Sequence, residues 1–426
     1  MKLSQYYIDI EIDETKKMLY STFSRKYYVY KKQEQSKVLN FLAHINKGKY
    51  TEAEIALFEE LLNKKIILRD EIDELKQLEV LENATRYQEK TYKMMIYATN
   101  ACNFRCSYCE QNHVSKPLSE DVKERILRLV KIQAKKNRVI QIDWFGGEPL
   151  LEYESVCSVL ERAKKICEKN KCELVSTLTT NGYLLDESKI KKLYDLSVRS
   201  MQITLDGSKK THNERRILAD GSATFDIIFK NMIEAVKLGV FITLRINIDA
   251  KNADDISEVI DEIPMEFRSR IAVDICNIFQ NSKRISTYAL MKQIIDKGYV
   301  YSQRWNKFAS CHACLLNGVV IDTDGSILLC SNTDKQEKRM GYLNSEGCCC
   351  IERQADLYNL QTVTARENPE CRNCIELPYC IASCKYARLK DNTKCLGKRG
   401  NGLTIKEKAL LDFYYDQQKE RREKDG

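Results

Sequence analysis

The sequence predicts an α/β protein built on a largely parallel sheet. Three observations carry this reading. Six apolar strand patterns alternate with helical patterns between residue 91 and about residue 300. A run of short strands followed by helices precedes them. Cysteines crowd the C-terminal third, where the alternation stops.

The central strand patterns are Tyr92–Thr99, Val139–Trp144, Glu173–Thr180, Ser200–Leu205, Phe241–Ile248 and Ile271–Ile278. Helical patterns at Glu120–Lys136, Tyr153–Lys169, Glu187–Tyr194, Phe225–Leu238 and Ala253–Ile263 lie between them. Strand–helix–strand repeats of this kind pair in parallel, in a sheet that is either curled or open. In the first ninety residues, Tyr6–Ile12, Lys17–Ser21 and Arg25–Lys31 read as strands, and Ser36–Ile45 and Glu52–Leu62 as helices. Thr51 and Glu54 make a capping-box pattern. A short strand, Ile66–Leu68, and a charged helix, Asp70–Leu78, follow; the polar stretch Leu78–Glu89 reads as a linker. The expected domains are therefore 1–88, 89–300, 301–402 and a charged helical tail, 403–426.

Composition narrows the function classes. The chain has 426 residues, of which 43% are hydrophobic, enough for two or three cored domains. No stretch approaches the roughly 20 apolar residues of a membrane span. The N-terminus has no apolar signal core. A cytoplasmic protein without membrane contact is expected. With 69 basic and 61 acidic residues the net charge is +8, and the signs are interleaved, so nucleic acid is not an expected partner. Eighteen cysteines in such a protein argue for metal clusters over disulfides.

The chemistry is concentrated after the first central strand. Cys102, Cys106 and Cys109 stand at C-x₃-C-x₂-C spacing on one short loop. Three thiolates can hold three corners of a [4Fe–4S] cubane and leave the fourth iron open to a small molecule. The same thiols could hold zinc with His113 as a fourth ligand. The loop resembles the cluster motif of the radical S-adenosylmethionine (SAM) enzymes, with Tyr108 at the aromatic position before the third cysteine. The resemblance implies a partial (β/α)₆ barrel and a cluster chelated by SAM. Reductive cleavage of that SAM would yield a 5′-deoxyadenosyl radical. Function in such barrels gathers on the loops after each strand.

Further segments fall on those loops. Gly146-Gly147-Glu148 follows the second strand; two glycines allow close backbone approach to a ligand, and a carboxylate can accept from a cationic amine. It is similar to the family's segment for the methionine amino group of SAM. Thr180-Asn181-Gly182 follows the third strand, where the family neighbours the SAM ribose and carboxylate. Asp206-Gly207 and His212-Asn213-Glu214-Arg215-Arg216 follow the fourth. They resemble a stretch of radical SAM enzymes that act on peptides, with Asn213 in place of the usual Asp. Tyr108, Asp206, Arg216 and Arg245 complete the expected cofactor-binding set. Arg245 and Asn247 share one strand face; Arg245 reads equally well as a surface ion pair.

The C-terminal cysteines form a second set. Cys311-x₂-Cys314, a hairpin pattern from Val319 to Leu329, and Cys330 precede Cys371-x₂-Cys374-x₅-Cys380-x₃-Cys384 and Cys395. Paired thiolates of this kind could also make zinc ribbons. The spacing resembles the SPASM extension of radical SAM maturases, which holds two auxiliary iron–sulfur clusters. That resemblance implies an outer cluster on Cys371, Cys374, Cys380 and Cys395. It implies an inner one on Cys311, Cys314, Cys330 and Cys384, with three or four protein ligands. Cys157 and Cys167 share a helical pattern and read as packing residues. Cys172 and Cys276 have no assigned role, and Cys348-Cys349-Cys350 reads as unoccupied loop cysteines.

The first ninety residues are similar to the small winged-helix element that binds leader peptides. Its physical basis is strand addition at a sheet edge; a plain packing domain fits the same pattern. Together these features lead to an expected radical SAM peptide maturase. It would carry three [4Fe–4S] clusters and SAM, act on a precursor peptide, and take electrons from a flavodoxin- or ferredoxin-type donor. Hydrogen abstraction would lead to a thioether or another side-chain crosslink. One alternative is a sulfatase-maturase-like enzyme oxidising a Cys or Ser with Asp206 or Asp274 as base. Another is a non-catalytic iron–sulfur protein that binds peptides or senses redox state.

Overall fold

A computed structural model describes the whole chain except residues 112, 115, 279–283, 302–310, 332–338, 382, 394, 396–401 and 426. The described residues fall into two compact units. One comprises Met1–Thr85 and Val363–Gly426, the other Arg86–Trp305 and Ser310–Thr362. The stretch expected as one cysteine-rich domain, 301–402, is thus divided between the two.

The first unit starts with β1 (Lys2–Leu3), β2 (Tyr7–Glu11), β3 (Lys16–Ser21) and β4 (Tyr27–Lys31). The helices α1 (Gln35–Ala43) and α2 (Glu52–Asn63), the short β5 (Ile67–Leu68) and α3 (Glu74–Arg86) follow. Strands β2-β3-β4 form an antiparallel meander with β3 in the centre, and β1 pairs with β5. The Thr51–Glu54 capping box is present at the start of α2. The stretch read as a linker, 78–89, does contain the boundary between the two units, but residues 78–86 are the second half of α3, with Leu78, Glu82 and Arg86 at 3% exposure or less. Its charged residues looked solvated, but two of them are buried.

The second unit begins with six parallel strands: β6 (Thr91–Thr99), β7 (Val139–Gly146), β8 (Glu173–Thr180), β9 (Val198–Thr204), β10 (Phe241–Ile248) and β11 (Ile271–Asn277). The intervening helices are α4 (Glu120–Ala134), α5 (Tyr153–Lys169), α6 (Glu187–Asp195), α7 (Lys209–Arg215), α8 (Phe225–Lys237), α9 (Ile256–Glu262) and α10 (Met265–Arg268). A further helix, α11 (Tyr288–Asp296), follows the last strand. One face of each strand packs under helices. On β10 that face is Ile242, Leu244, Ile246 and Ile248, all at 0% exposure. The alternate residues Thr243, Arg245 and Asn247 point to the opposite, polar face, as period-two geometry requires. On α5, Val156, Cys157, Leu160, Ala163 and Cys167 share the buried face, so both cysteines are packing residues.

The hairpin β12 (Gly318–Ile321) and β13 (Ser326–Leu328) forms where its turn residues place it. It does not stand apart. β12 pairs in parallel with β6, and β14 (Arg339–Leu343) and β15 (Cys349–Ile351) extend the same sheet to ten strands, ordered β11-β10-β9-β8-β7-β6-β12-β13-β14-β15. The hairpin covers the edge that β6 would otherwise leave unpaired. Cys349 and Cys350 therefore lie on a strand and only Cys348 in the turn, a correction to the loop reading.

The chain ends with α12 (Gln354–Thr362) and the short helices α13 (Pro369–Arg372), α14 (Leu377–Cys380) and α15 (Lys385–Lys390), then α16 (Ile405–Asp425). The expected frayed tail is docked over its first half. Ala409 packs on Ile10, Met18 and Tyr20, while Leu19, on the opposite face of β3, packs with α1 and α2. The Tyr20 hydroxyl donates to Asp412 at 2.6 Å. Exposure begins at Lys419. No described helix is long and apolar enough to cross a membrane.

Candidate active site

The loop carrying Cys102, Cys106 and Cys109 leaves the end of β6 and is held from two sides. On one side is the end of β7. Gly147 N donates to Thr99 O at 3.0 Å, and Glu148 N to Ala101 O at 2.8 Å. A Cβ on Gly146 would sit 2.2 Å from Thr99 O, and one on Gly147 2.1 Å from Ala101 O. Gly146 also has φ +128°, a conformation that L side chains avoid. What the two glycines approach so closely is the cysteine loop itself. Gly147→Ala is expected to push that loop away, at a cost of roughly 1–3 kcal/mol. Denaturant titration and iron content after reconstitution would both fall below wild type. Wild-type values in both would show that the loop tolerates the displacement.

The second support is the segment after α7. Ser107 N donates to Arg215 O at 3.0 Å, Arg105 N to Ile217 O at 2.9 Å, and Ala219 N to Asn103 O at 2.8 Å. The backbone brace thus runs through the His212–Arg216 motif. His212 is fully buried: its Nδ1 accepts from Asp206 N–H at 3.2 Å, and its Nε2 meets Thr224 Oγ1 at 3.1 Å. Burial, with the charges of Arg216 and Arg215, holds this imidazole well below the usual histidine range, so it is neutral. Asn213 Oδ1 accepts from the N–H groups of Thr224 and Phe225, both at 3.0 Å, and caps α8. An acceptor is all that position uses, so an amide serves where the family has an acid.

Glu148 is fully buried. Its carboxylate accepts from Leu150 N (3.0 Å), Thr180 Oγ1 (2.7 Å) and Asn181 N (2.6 Å). Burial pushes its pKa up against these hydrogen bonds. Glu148 therefore ties the β7 loop to the β8 loop. Asn181 Nδ2 continues the link, donating to Asn103 Oδ1 at 2.8 Å. Asn103, an unremarked spacer of the cysteine motif, carried no sequence signal.

Tyr108 anchors the loop's far end. Its hydroxyl donates to Asp206 and receives hydrogen bonds from Arg216 Nη1 (2.7 Å) and Asn247 Nδ2 (3.0 Å). Asp206, fully buried, also accepts from Asn247 N at 2.8 Å. Arg215 binds Asp249 at 2.9 Å and lies over the Tyr108 ring. Arg245 pairs with Asp274 at 2.7 Å on the polar strand face, not on the outer surface.

The three thiols sense one another. Burial pushes Cys102 up to about 11, with Glu148, Cys106 and Cys109 adding to the rise. Cys106 is raised too, first by burial, while the neighbouring Arg216 guanidinium opposes. Arg216 is 7% exposed, and its Nε has no hydrogen-bond partner among the described residues. Three close thiols beside a buried, partly unsatisfied cation fit an anionic cluster and a bound carboxylate. Among the described residues, no three His, Cys, Asp or Glu side chains converge as ligands of a single metal ion. Cubane thiolates are spread over separate irons and need no such convergence.

The auxiliary cysteines are placed in both units. Cys311, Cys314 and Cys330 belong to the second unit; Cys371, Cys374, Cys380, Cys384 and Cys395 belong to the first. Cys314 is buried, whereas Cys311, Cys384 and Cys395 are exposed. In each C-x₂-C pair, and in Cys106–Cys109, the second cysteine's N–H donates to the carbonyl of the first, at 2.9–3.1 Å. His312, between Cys311 and Cys314, bonds to Asp143 on β7, a contact no motif announced.

Residues 96–263 match the family model of the Radical SAM superfamily. The chain carries a radical SAM domain. It is 24% identical over 223 residues to the GTP 3′,8-cyclase of Nautilia profundicola, a match covering 50% of this chain and 66% of that enzyme. It is 22% identical over 340 residues to the cysteine-type anaerobic sulfatase-maturating enzyme of Clostridium novyi, covering 70% of this chain and 88% of that enzyme. The chain spans roughly half to two thirds of the length of the curated cyclases it matches, so only the domain is shared with them. Among solved structures, anSMEcpe with bound AdoMet and Cp18Cys peptide superposes with a TM-score of 0.58 at 18% identity, over 79% of this chain and all of that one. Streptococcus suis SuiB bound to precursor peptide SuiA gives 0.50 at 15% identity, over 92% and 97%. Both likenesses are of fold. The chain is thus similar in sequence to cyclases and to a sulfatase-maturating enzyme, and in fold to anSMEcpe and SuiB.

Proposed function

We propose that this radical SAM enzyme modifies a ribosomally made precursor peptide, joining side chains by a thioether or another crosslink. The observation that carries the radical chemistry is the cysteine loop, braced by Gly146-Gly147-Glu148 on one side and by Arg215–Ala219 on the other. When bound, a cluster and SAM would supply a 5′-deoxyadenosyl radical able to take hydrogen from an unactivated carbon. Cys102, Cys106 and Cys109 would hold that cluster. Arg216 would neutralise negative charge beside it. The backbone of Gly146–Glu148 and the Thr180-Asn181 turn would line the SAM site, with Glu148 orienting the turn from beneath. Tyr108, Asp206 and Arg245 would hold the opposite wall, and the enclosing strands would exclude water and stray reductants.

The peptide part of the proposal rests on the fold likeness to a peptide-bound maturase and on the N-terminal meander. The outer strands β2 and β4 leave edges to which an extended leader segment could add. The C-terminal cysteines would hold two further [4Fe–4S] clusters that pass the surplus electron onward, as a SPASM extension does. A flavodoxin- or ferredoxin-type donor in the cytoplasm would supply reducing electrons. The sulfatase-maturase alternative gains from the Clostridium novyi match. Of its two candidate bases, Asp206 is fully buried, whereas Asp274 is partly exposed although paired with Arg245, so Asp274 is the base that reading would use.

The test uses anaerobically reconstituted, dithionite-reduced protein, SAM, and the short peptide encoded beside its gene, with and without the peptide's N-terminal half. The full peptide is expected to lose a pair of hydrogens by mass and to raise 5′-deoxyadenosine formation. The half lacking the leader is expected to do neither. Deoxyadenosine formation with an unchanged peptide would overturn the peptide assignment. No SAM cleavage at all would leave a binding or redox-sensing protein.

A further inference from the structure

One polar group on the inner strand face is not used by the chemistry above. Strands β10 and β11 pair in parallel, with Arg245 opposite Asp274 and Asn247 opposite Cys276. On β11, Val273 and Ile275 are buried beneath helices at 3% exposure or less, while Asp274 and Cys276 emerge, partly exposed, on the other face. The Cys276 thiol donates to Asp274 Oδ1 at 3.6 Å. Asp274 Oδ2 holds Arg245 at 2.7 Å, and Arg245 Nε donates to Asn247 Oδ1 at 3.2 Å. Asn247 then donates to the Tyr108 hydroxyl at 3.0 Å. Tyr108 stands directly before Cys109. A short chain of side chains thus connects the Cys276 thiol to the loop where a radical would be made.

The thiol is held in its protonated form. Burial, the largest influence, pushes it up to about 12, and Asp274 adds to the rise while Arg245 opposes it. Cys276 belongs to neither expected cluster set. Its neighbours are a carboxylate, a guanidinium and an amide, all fixed by one another.

We propose that Cys276 is a hydrogen-atom donor to carbon radicals formed on this inner face. The proposal rests on the radical reading above. An S–H bond is weaker than an aliphatic C–H bond, so transfer from thiol to carbon radical is downhill. The step is R• + Cys276–SH → R–H + Cys276–S•: the S–H bond breaks, the C–H bond forms, and the unpaired electron passes to sulfur. One electron and one solvent proton restore the thiol. The electron comes from the one-electron reductant that also serves the clusters, an iron–sulfur or flavin protein in the cell or dithionite in the assay. The substrate class is a peptide residue bearing a carbon radical that has found no crosslinking partner. Its product has the composition of the starting residue and differs from it at most in configuration. Asp274 is the positioning residue, because it receives the thiol's hydrogen bond and fixes where the S–H lies.

The test uses the full chain, reconstituted and reduced by dithionite in D₂O, with SAM as the only probe. The readout is deuterium per molecule of 5′-deoxyadenosine, which does not depend on how much is formed. Wild-type protein is expected to give monodeuterated product. Cys276→Ser keeps the size and an Asp274 hydrogen bond, but its O–H bond is too strong to release a hydrogen atom. In this variant and in Cys276→Ala, the label is expected to fall about tenfold or more. Wild-type label in both variants, or unlabelled product from the wild type, overturns the proposal. Absence of any deoxyadenosine from wild-type protein instead sinks the radical reading, and this proposal with it. A second readout needs no turnover. In cluster-free protein, iodoacetamide should alkylate Cys276 more slowly than exposed Cys348, as a protonated thiol requires. Fast alkylation would reveal a thiolate, which has no hydrogen atom to give, and would equally overturn the proposal.

Discussion

Cys106→Ala is expected to abolish detectable 5′-deoxyadenosine formation and to remove about four irons per chain from a wild-type total of about twelve. A cubane with one iron open to SAM has three protein ligands, and two thiolates on this loop do not suffice to hold it. The variant should keep its fold. The loop is secured by backbone hydrogen bonds from Gly147, Glu148, Arg105, Ser107 and Ala219, none of which uses the Cys106 sulfur. The side-chain links from Asn103 to Asn181 and from Tyr108 to Asp206 also remain. Iron and sulfide analysis, chromatography of the reaction and a melting curve together make the check. Full iron content with undiminished SAM cleavage would remove the loop from the chemistry. Zinc in place of iron in wild-type protein would turn the three cysteines into a structural clip.

The second large effect is structural. Glu82→Ala is expected to destabilise the N-terminal unit by roughly 3–5 kcal/mol, because it strips the partner from a buried cation. Glu82 is 3% exposed. One carboxylate oxygen accepts from Lys385, itself 4% exposed; the other accepts from Thr364 Oγ1 at 2.9 Å and Arg366 Nε at 3.2 Å. The carboxylate thereby pins α3 to the cysteine-bearing segment of the same unit, next to Cys384. Losses of this size are a large part of what a domain has, since whole domains are stable by about 5–15 kcal/mol. Denaturant titration followed by far-UV circular dichroism would show the lower midpoint. Iron bound through Cys371–Cys395 should fall in parallel. Glu82→Gln keeps the shape and one of the two acceptor oxygens without the charge, and should lose less. A shift below about 1 kcal/mol for Glu82→Ala would mean the network is as weak as an exposed pair.

The central strands and helices were legible because their patterns are local. Strand β10 spans Phe241–Ile248 and helix α5 spans Tyr153–Lys169, each with the bounds its periodicity predicts. The three cysteines of the first loop stood out for a related reason: the ligand role proposed for them follows from spacing within eight residues. The same logic failed where polarity was taken to mean solvent. Residues 78–89 read as a polar linker, and the two units do divide there, yet Glu82 and Arg86 are buried in the second half of a helix. The tail read as frayed, yet Ala409 and Asp412 sit against β3. In both cases partners lie hundreds of residues away, and no local pattern encodes them.

What the sequence determined by itself was the alternation of strands and helices and the spacing of the three cysteines on the first loop. Hydrophobic periodicity and ligand spacing act over a few residues, so both survive in a linear reading. The tertiary structure alone decided what surrounds those donors. It turned Gly146 and Gly147 into contacts for the cysteine loop, and Glu148 into a tie between two strand ends. It made the Arg215–Ala219 backbone a brace, joined β12 to β6, and set Asp274 against Arg245 on the inner face. Each of these depends on strand order and register, which bring together residues about 30 to 225 positions apart. The physical cause is that hydrogen-bond pairing between strands is set by the whole sheet, and no stretch of chain carries it alone.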